Sequence, residues 1–151
     1  MIKIICVGKI KEKYLKDAID EYTKRISKYT SLEIVEIQDE GLVEEKVAMK
    51  KEGEEILKRI NRKDYIICLD IDGEVIDSIN FSKKIDNIYL NYSNITFIIG
   101  GSYGLIEEIK KISNYRLSFS KMTFPHQLFR VMLLEQIYRA YKIKNNESYH
   151  K

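Results

Sequence analysis

Residues Ile95 to Tyr141 read ITFIIGGSYGLIEEIKKISNYRLSFSKMTFPHQLFRVMLLEQIYRAY, and the order of motifs in this stretch decides the fold. An apolar run, Ile95–Ile99, ends directly in a glycine-rich turn, Gly100-Gly101-Ser102-Tyr103-Gly104. A second short run, Leu117–Ser120, ends in the polar turn Lys121-Met122-Thr123, and a long helical pattern follows at once. Glycine at the end of a strand lets a backbone approach a ligand closely, because no Cβ intervenes and positive φ is allowed. Two such turns after two strands read as the two lips of one small-molecule site.

Working outward, Ile2–Val7 is a continuous apolar run, as expected of a strand buried on both faces. Leu15, Ala18, Ile19, Tyr22, Ile26 and Tyr29 then recur at helical spacing. Leu32–Ile37 is a second strand, and residues 44–60 form a charged helix with Val47, Ile56, Leu57 and Ile60 as its buried stripe. A third strand, Tyr65–Leu69, is closed by an Asp70-Ile71-Asp72-Gly73 turn, and Ser78 is placed to cap a helix burying Phe81, Ile85 and Ile88. A short helix over Leu105–Ile112 precedes the fifth strand, Tyr115–Phe119. Pro125, the only proline, suits the first turn of the final helix, with Thr123 as its cap. Strands alternating with helices predict an α/β fold: a mostly parallel sheet of about five to six strands with helices on both faces, in a single domain over 1–151. Ligands bind such sheets outside the carboxyl ends of the strands, where the turns at Asp70–Gly73, Gly100–Gly104 and Ser120–Thr123 converge.

Composition sets outer limits. Hydrophobic residues make up 44% and charged residues 32%, as in a globular protein with a substantial core. The opening MIKIICVGK is too short an apolar run for a signal peptide, and no run approaches a membrane span, so a cytoplasmic location is expected. Cys6 and Cys68 lie in apolar runs with no CxxC or neighbouring His, which predicts buried free thiols and no metal. The net charge of +3 is uneven: from Lys110 onward there are nine Lys and Arg against two acids, Glu135 and Glu147. A basic final third points to a polyanionic partner or to a merely solvated face.

The chemical motifs exclude more than they assign. Gly100-Gly101-x-x-Gly104 is not the dinucleotide fingerprint, and the first strand is followed by Gly8-Lys9-Ile10-Lys11 with a single glycine. There is no phosphate-loop motif, no HExxH and no Ser–His–Asp order. His126, at a helix start, suits packing or capping. His150, next to last, sits where termini usually fray. Arg130 suits either a salt bridge to Glu135 or a neighbour, or a phosphate contact.

Three segments carry a more specific signal: GGSYGL after a strand, LSFSKMTFPHQLFRVMLLEQIYRAYKI, and the ending ESYHK. Together with the opening IKIICVGKIKEKYLKDAIDEYTKRI, they make the whole chain resemble the RlmH-type methyltransferases of the SPOUT, or trefoil-knot, superfamily. The resemblance implies S-adenosylmethionine as methyl donor, with S-adenosylhomocysteine as product. It implies methylation at N3 of a pseudouridine in 23S rRNA within the ribosome, a homodimer whose sites are completed near the partner, and a knotted C-terminal segment. No metal or membrane is implied. Adenine recognition needs backbone donors and acceptors with apolar walls, which the turn Phe119, Ser120, Lys121, Met122, Thr123 and Phe124 supplies, flanked by Leu69, Gly100 and Gly101. The basic final third would hold rRNA phosphates, and Tyr103 and Tyr149 would stack on an exposed base. His150, with Tyr149 beside it, is the candidate base for the imide proton, and Arg130 the candidate for phosphate or for the developing imide charge. The alternatives are a non-enzymatic ribosome-binding or RNA-binding protein and a small-molecule nucleotide-binding α/β protein. Adenosylmethionine binding and salt-dependent RNA affinity separate the three.

Overall fold

The computed structural model describes residues 1–41 and 43–151; Leu42 lies outside them. Strands and helices alternate throughout: β1 (Ile2–Val7), α1 (Lys13–Ile26), β2 (Leu32–Ile37), α2 (Glu45–Arg59), β3 (Tyr65–Val75), α3 (Ser78–Ile88), β4 (Ile95–Ile99), α4 (Glu107–Ile112), β5 (Tyr115–Ser118) and α5 (His126–Lys144). The five strands form one sheet in the order β2-β1-β4-β3-β5, with every pairing parallel. This is the α/β architecture the alternation predicts.

Strand periodicity divides the core in two. Ile2, Ile4, Cys6, Phe97 and Leu117 face one side of the sheet, where Ile26 of α1, Phe81 and Ile85 of α3, and Leu133, Leu134 and Ile137 of α5 cover them. Ile5, Val7, Cys68 and Ile98 face the other side, beneath Ile56 of α2 and Ile109 of α4. Both cysteines are free and buried, and burial pushes the Cys6 thiol up to about 12, so it is chemically inert. The chain leaves β1 toward one face and its neighbour β4 toward the other. That divergence opens a crevice at the carboxyl ends of the sheet.

Several boundaries differ from the expected ones. β3 does not close at Leu69: it continues to Val75, with a register shift in which Leu69 and Glu74 both oppose Leu117. The Asp70–Gly73 segment is thus an irregularity inside a strand pairing, not a strand-to-helix turn. A Cβ at Gly73 would lie 2.6 Å from the carbonyl oxygen of Arg116. The cap of α3 is Asp77, whose Oδ1 accepts from the Asn80 amide at 2.7 Å, while Ser78 donates to Gln136 of α5 at 2.7 Å. Thr123 does not cap α5; the helix starts after Pro125 with no side-chain cap. On α2, Val47 is exposed and the buried stripe is Ala48, Glu52, Gly53 and Ile56. Gly53 belongs there because a methyl group would collide with the Ile106 side chain.

Candidate active site

At the carboxyl ends of β3, β4 and β5 lies a cleft of about 880 Å³. Leu69, Gly100, Gly101, Phe119, Ser120, Met122, Thr123 and Phe124 line it; Lys121 is exposed and does not. Its size falls within the roughly 300–1,000 Å³ of small-molecule sites. Leu69, Ile99, Leu117 and Phe129 supply apolar wall, and Tyr103 stands exposed at its edge. The lower lip is braced by its own serines: Ser118 donates to the Ser120 carbonyl at 3.0 Å, and the Met122 amide donates to Ser120 Oγ at 3.0 Å.

The double glycine on the cleft wall also has a packing role. A Cβ on Gly100 would lie 2.8 Å from the Gly104 backbone, and one on Gly101 would meet Val7 Cγ1 at 3.0 Å and Glu52 Oε1 at 3.1 Å. The backbone of the turn itself requires glycine at position 100, and at Gly101 a side chain would have to displace Val7 and Glu52 slightly. Gly104 is different: its φ is +85° and nothing lies within 4 Å of an added Cβ, so conformation alone requires glycine there.

Beside the cleft, the end of β1 holds a cluster of polar groups that sequence patterns did not bring together. Arg130 is 1% exposed. Its Nη1 donates to Glu36 Oε2 at 2.8 Å and its Nη2 to the Gly8 carbonyl at 2.9 Å. The expected partner, Glu135, is elsewhere, and no face of the guanidinium is presented to a phosphate in this chain. His126 lines the cleft, with Nε2 only 3.0 Å from where Gly8, at φ +97°, would carry a Cβ. Among the described residues, four buried side-chain atoms lack a partner, and three of them gather around Val7 and Gly8: Glu52 Oε1, His126 Nε2 and Arg130 Nε. Burial pushes the Glu52 carboxyl up, with Asp39 and Glu40 adding to the effect against the Glu40 amide that donates to Oε2 at 3.0 Å. Burial also holds His126 below its usual range, reinforced by Arg130 and opposed by Asp39.

The C-terminal tail folds back onto α5. Arg139 pairs with Glu135 at 2.6 Å, Tyr149 donates to Glu135 at 2.8 Å, and His150 Nδ1 lies 3.1 Å from Arg139 Nη1. The Arg139 guanidinium covers the Tyr149 ring at 4.7 Å. The expected fraying is absent. Glu135 and Arg139 lie six and ten positions after Phe129, the last residue of α5 on the cleft wall, so the tail is held about 9 to 15 Å from the cleft along the helix axis.

Charge is arranged differently from its distribution in sequence. Of the basic residues after position 109, Lys110, Arg116, Arg130, Arg139, Lys142 and Lys144 are all in ion pairs. Besides the ion-paired Lys110, the lysines lining the cleft come from α2: Lys46 and Lys50, one turn apart, with Met49 between them. Their i,i+4 spacing was the available signal, hidden in a helix whose acids and bases nearly balance. Among the described residues no group of His, Cys, Asp and Glu could hold a metal. No helix among them is long and apolar enough to cross a membrane.

A parallel α/β sheet with a nucleoside-sized cleft between glycine turn and helix start defines a ligand-binding enzyme of the strand-end type. The family described as "Predicted SPOUT methyltransferase" matches residues 1–150, and the chain belongs to it. The chain is 58% identical to a ribosomal RNA large subunit methyltransferase H from Clostridium botulinum, over 99% of each chain. It is 52% identical to the protein of that name from Ruminiclostridium cellulolyticum, again over 99% of each. Among solved structures, a probable methylase family protein from Haemophilus influenzae superposes with a TM-score of 0.58 at 16% identity, over 99% of this chain and 70% of that one. A tRNA methyltransferase from Aquifex aeolicus gives 0.52 at 12%, over 91% and 69%. These last two speak for the fold alone.

Proposed function

We propose that this protein is a 23S rRNA methyltransferase that transfers a methyl group from S-adenosylmethionine to N3 of a pseudouridine, acting as a homodimer on the ribosome. The observation that carries the reading is the cleft itself, in which Leu69, Gly100, Gly101 and the Phe119–Phe124 turn come together at one end of the sheet. Its apolar walls suit an adenine ring, and its volume of about 880 Å³ has room for a nucleoside with an amino-acid arm. When bound, adenosylmethionine supplies a methyl group on a sulfonium and leaves as adenosylhomocysteine.

The chain's own residues do the rest. The cleft walls fix the direction of approach, and positioning of this kind supplies several kcal/mol of the barrier. Lys46 and Lys50 on the cleft wall meet backbone phosphate. His150 with Tyr149 remains the candidate for the imide proton. On its own protomer, however, the tail is held on Glu135 and Arg139, about two to three turns of α5 beyond the cleft wall at Phe129, so it would serve the site of a second copy. Exposed apolar groups support such pairing: Met122, 73% exposed, and Leu128 near the start of α5, and Val75 and Ile79 where β3 leads into α3. Leu133 and Leu134, by contrast, are core residues.

Calorimetry with adenosylmethionine, followed by mass spectrometry of 23S rRNA from a deletion strain with and without the gene restored, tests the reading. Binding without any change in rRNA mass would refute the substrate assignment; no binding would refute the enzyme.

A further inference from the structure

We propose that His126 is a catalytic residue of this site, a neutral imidazole whose Nδ1–H is donated to a carbonyl oxygen of the acceptor ring. The inference rests on the proposed methyl transfer to an imide nitrogen, and its geometry belongs to this chain.

His126 is the first residue of α5 and lines the cleft. Its Nε2 is enclosed and unpartnered, turned toward Gly8, which has room for the ring only because it lacks a Cβ. Nδ1 is not enclosed in this way, so it is the nitrogen that reaches the cleft. Arg130 holds the Gly8 carbonyl beside the ring at 2.9 Å. Nε2 is buried with no acceptor in reach, so a proton there would be left unpaired, whereas on Nδ1 it can be donated into the cleft. The amino end of a 19-residue helix opposes a second proton on the ring. Asp39 is the one acid felt by the ring, and burial with Arg130 outweighs it. Triosephosphate isomerase offers the same logic: a neutral histidine at a helix start polarises a carbonyl better suited to imidazole than to imidazolium.

The chemistry calls for such a donor. The acceptor N3–H lies between two carbonyl groups. When a base removes that proton, the electron pair left on nitrogen is shared with both oxygens. The pair then forms the N3–methyl bond as the carbon–sulfur bond breaks and its electrons return to sulfur. A fixed N–H at one oxygen stabilises the anion without itself changing protonation state.

Three measurements on the dimeric full-length protein test this. Nitrogen-15 NMR of histidine-labelled protein at pH 8 should show His126 as the Nδ1–H tautomer; an Nε2–H ring overturns the assignment. Single-turnover methylation of ribosomes lacking the modification should fall roughly 100-fold in His126→Phe, the usual cost of one lost oxyanion donor. His126→Asn, whose amide can stand where Nδ1–H stood, should recover about a tenth of the wild-type rate. Adenosylmethionine affinity by calorimetry should stay within about threefold in both variants, if the interaction is made only in the transition state. If affinity falls as far as the rate, His126 is only cleft wall; if His126→Phe methylates at the wild-type rate, it is idle. A wild-type protein that fails to methylate those ribosomes would instead refute the functional reading itself, and this inference with it.

Discussion

Arg130 shows how residue type and residue role part company. On sequence grounds an arginine inside an apolar segment is a candidate for phosphate. In the fold it is the largest fully buried side chain, tying α5 to the ends of β1 and β2 through Gly8 and Glu36. Arg130→Met should therefore cost about 2–3 kcal/mol of stability, read as a lower urea midpoint, because it strands the Gly8 carbonyl and Glu36. An unchanged midpoint would mean that the network contributes nothing. Glu52 makes the opposite case. Its folded pKa is raised, so its ionisation opposes folding as pH rises from the ordinary carboxylate range through the raised value. Glu52→Gln keeps an acceptor for the Glu40 amide and cannot ionise. It should raise the melting temperature at pH 8 and leave it nearly unchanged at pH 4; a loss at pH 8 would show that the carboxylate itself is needed. Neither residue could have been read in advance. Each gets its meaning from residues far away in sequence, as Arg130 does from Gly8 and Glu36.

At the scale of elements, the strands were legible and their ends were not. β1, β2 and β4 begin and end where the apolar runs do, because each is buried on at least one face and flanked by charge or glycine. β3 escapes this rule: after Leu69 the chain is held by side-chain chemistry, not by periodicity. Asp70 is buried, receives Arg116 at 2.6 Å and Lys110 at 3.7 Å, and accepts the Asp72 amide at 3.1 Å. Burial works to raise its pKa, but those partners outweigh it and hold the carboxyl below its usual value. The stability this contributes is fully present above the unfolded-state pKa and is lost as pH falls through the folded one. Asp70→Asn should thus destabilise the protein at pH 7 by about 1–3 kcal/mol, given the partly exposed arginine, and the difference from wild type should shrink below pH 4. A pH-independent difference in urea titrations would rule out the ion pairs as its source. The same segment borders the cleft, so loosening it should also weaken adenosylmethionine binding.

For the whole molecule, alternation of strand and helix was enough to give a parallel sheet, and a cleft lies at the end of it where such sheets bind ligands. What alternation leaves out is how one copy relates to another. The implied knot escapes it as well, since periodicity carries no record of threading. The tail is the clearest instance. Tyr149 and His150 are ordered on Glu135 and Arg139, about 14 and 20 Å from the start of the same helix. If the tail serves catalysis, it does so across the dimer. That division of labour is testable with two inactive proteins. A chain lacking Tyr149–Lys151 keeps an intact cleft, and His126→Phe keeps an intact tail. Each alone should bind adenosylmethionine and methylate poorly. After denaturation and refolding together, half of the dimers should be mixed, each with one complete site, so about a quarter of wild-type activity should return if exchange is random. Light scattering would establish that the dimers form. Should the refolded mixture stay as inactive as its components, the tail does not act in trans; a tail-deleted protein with full activity alone would show that it does not act at all.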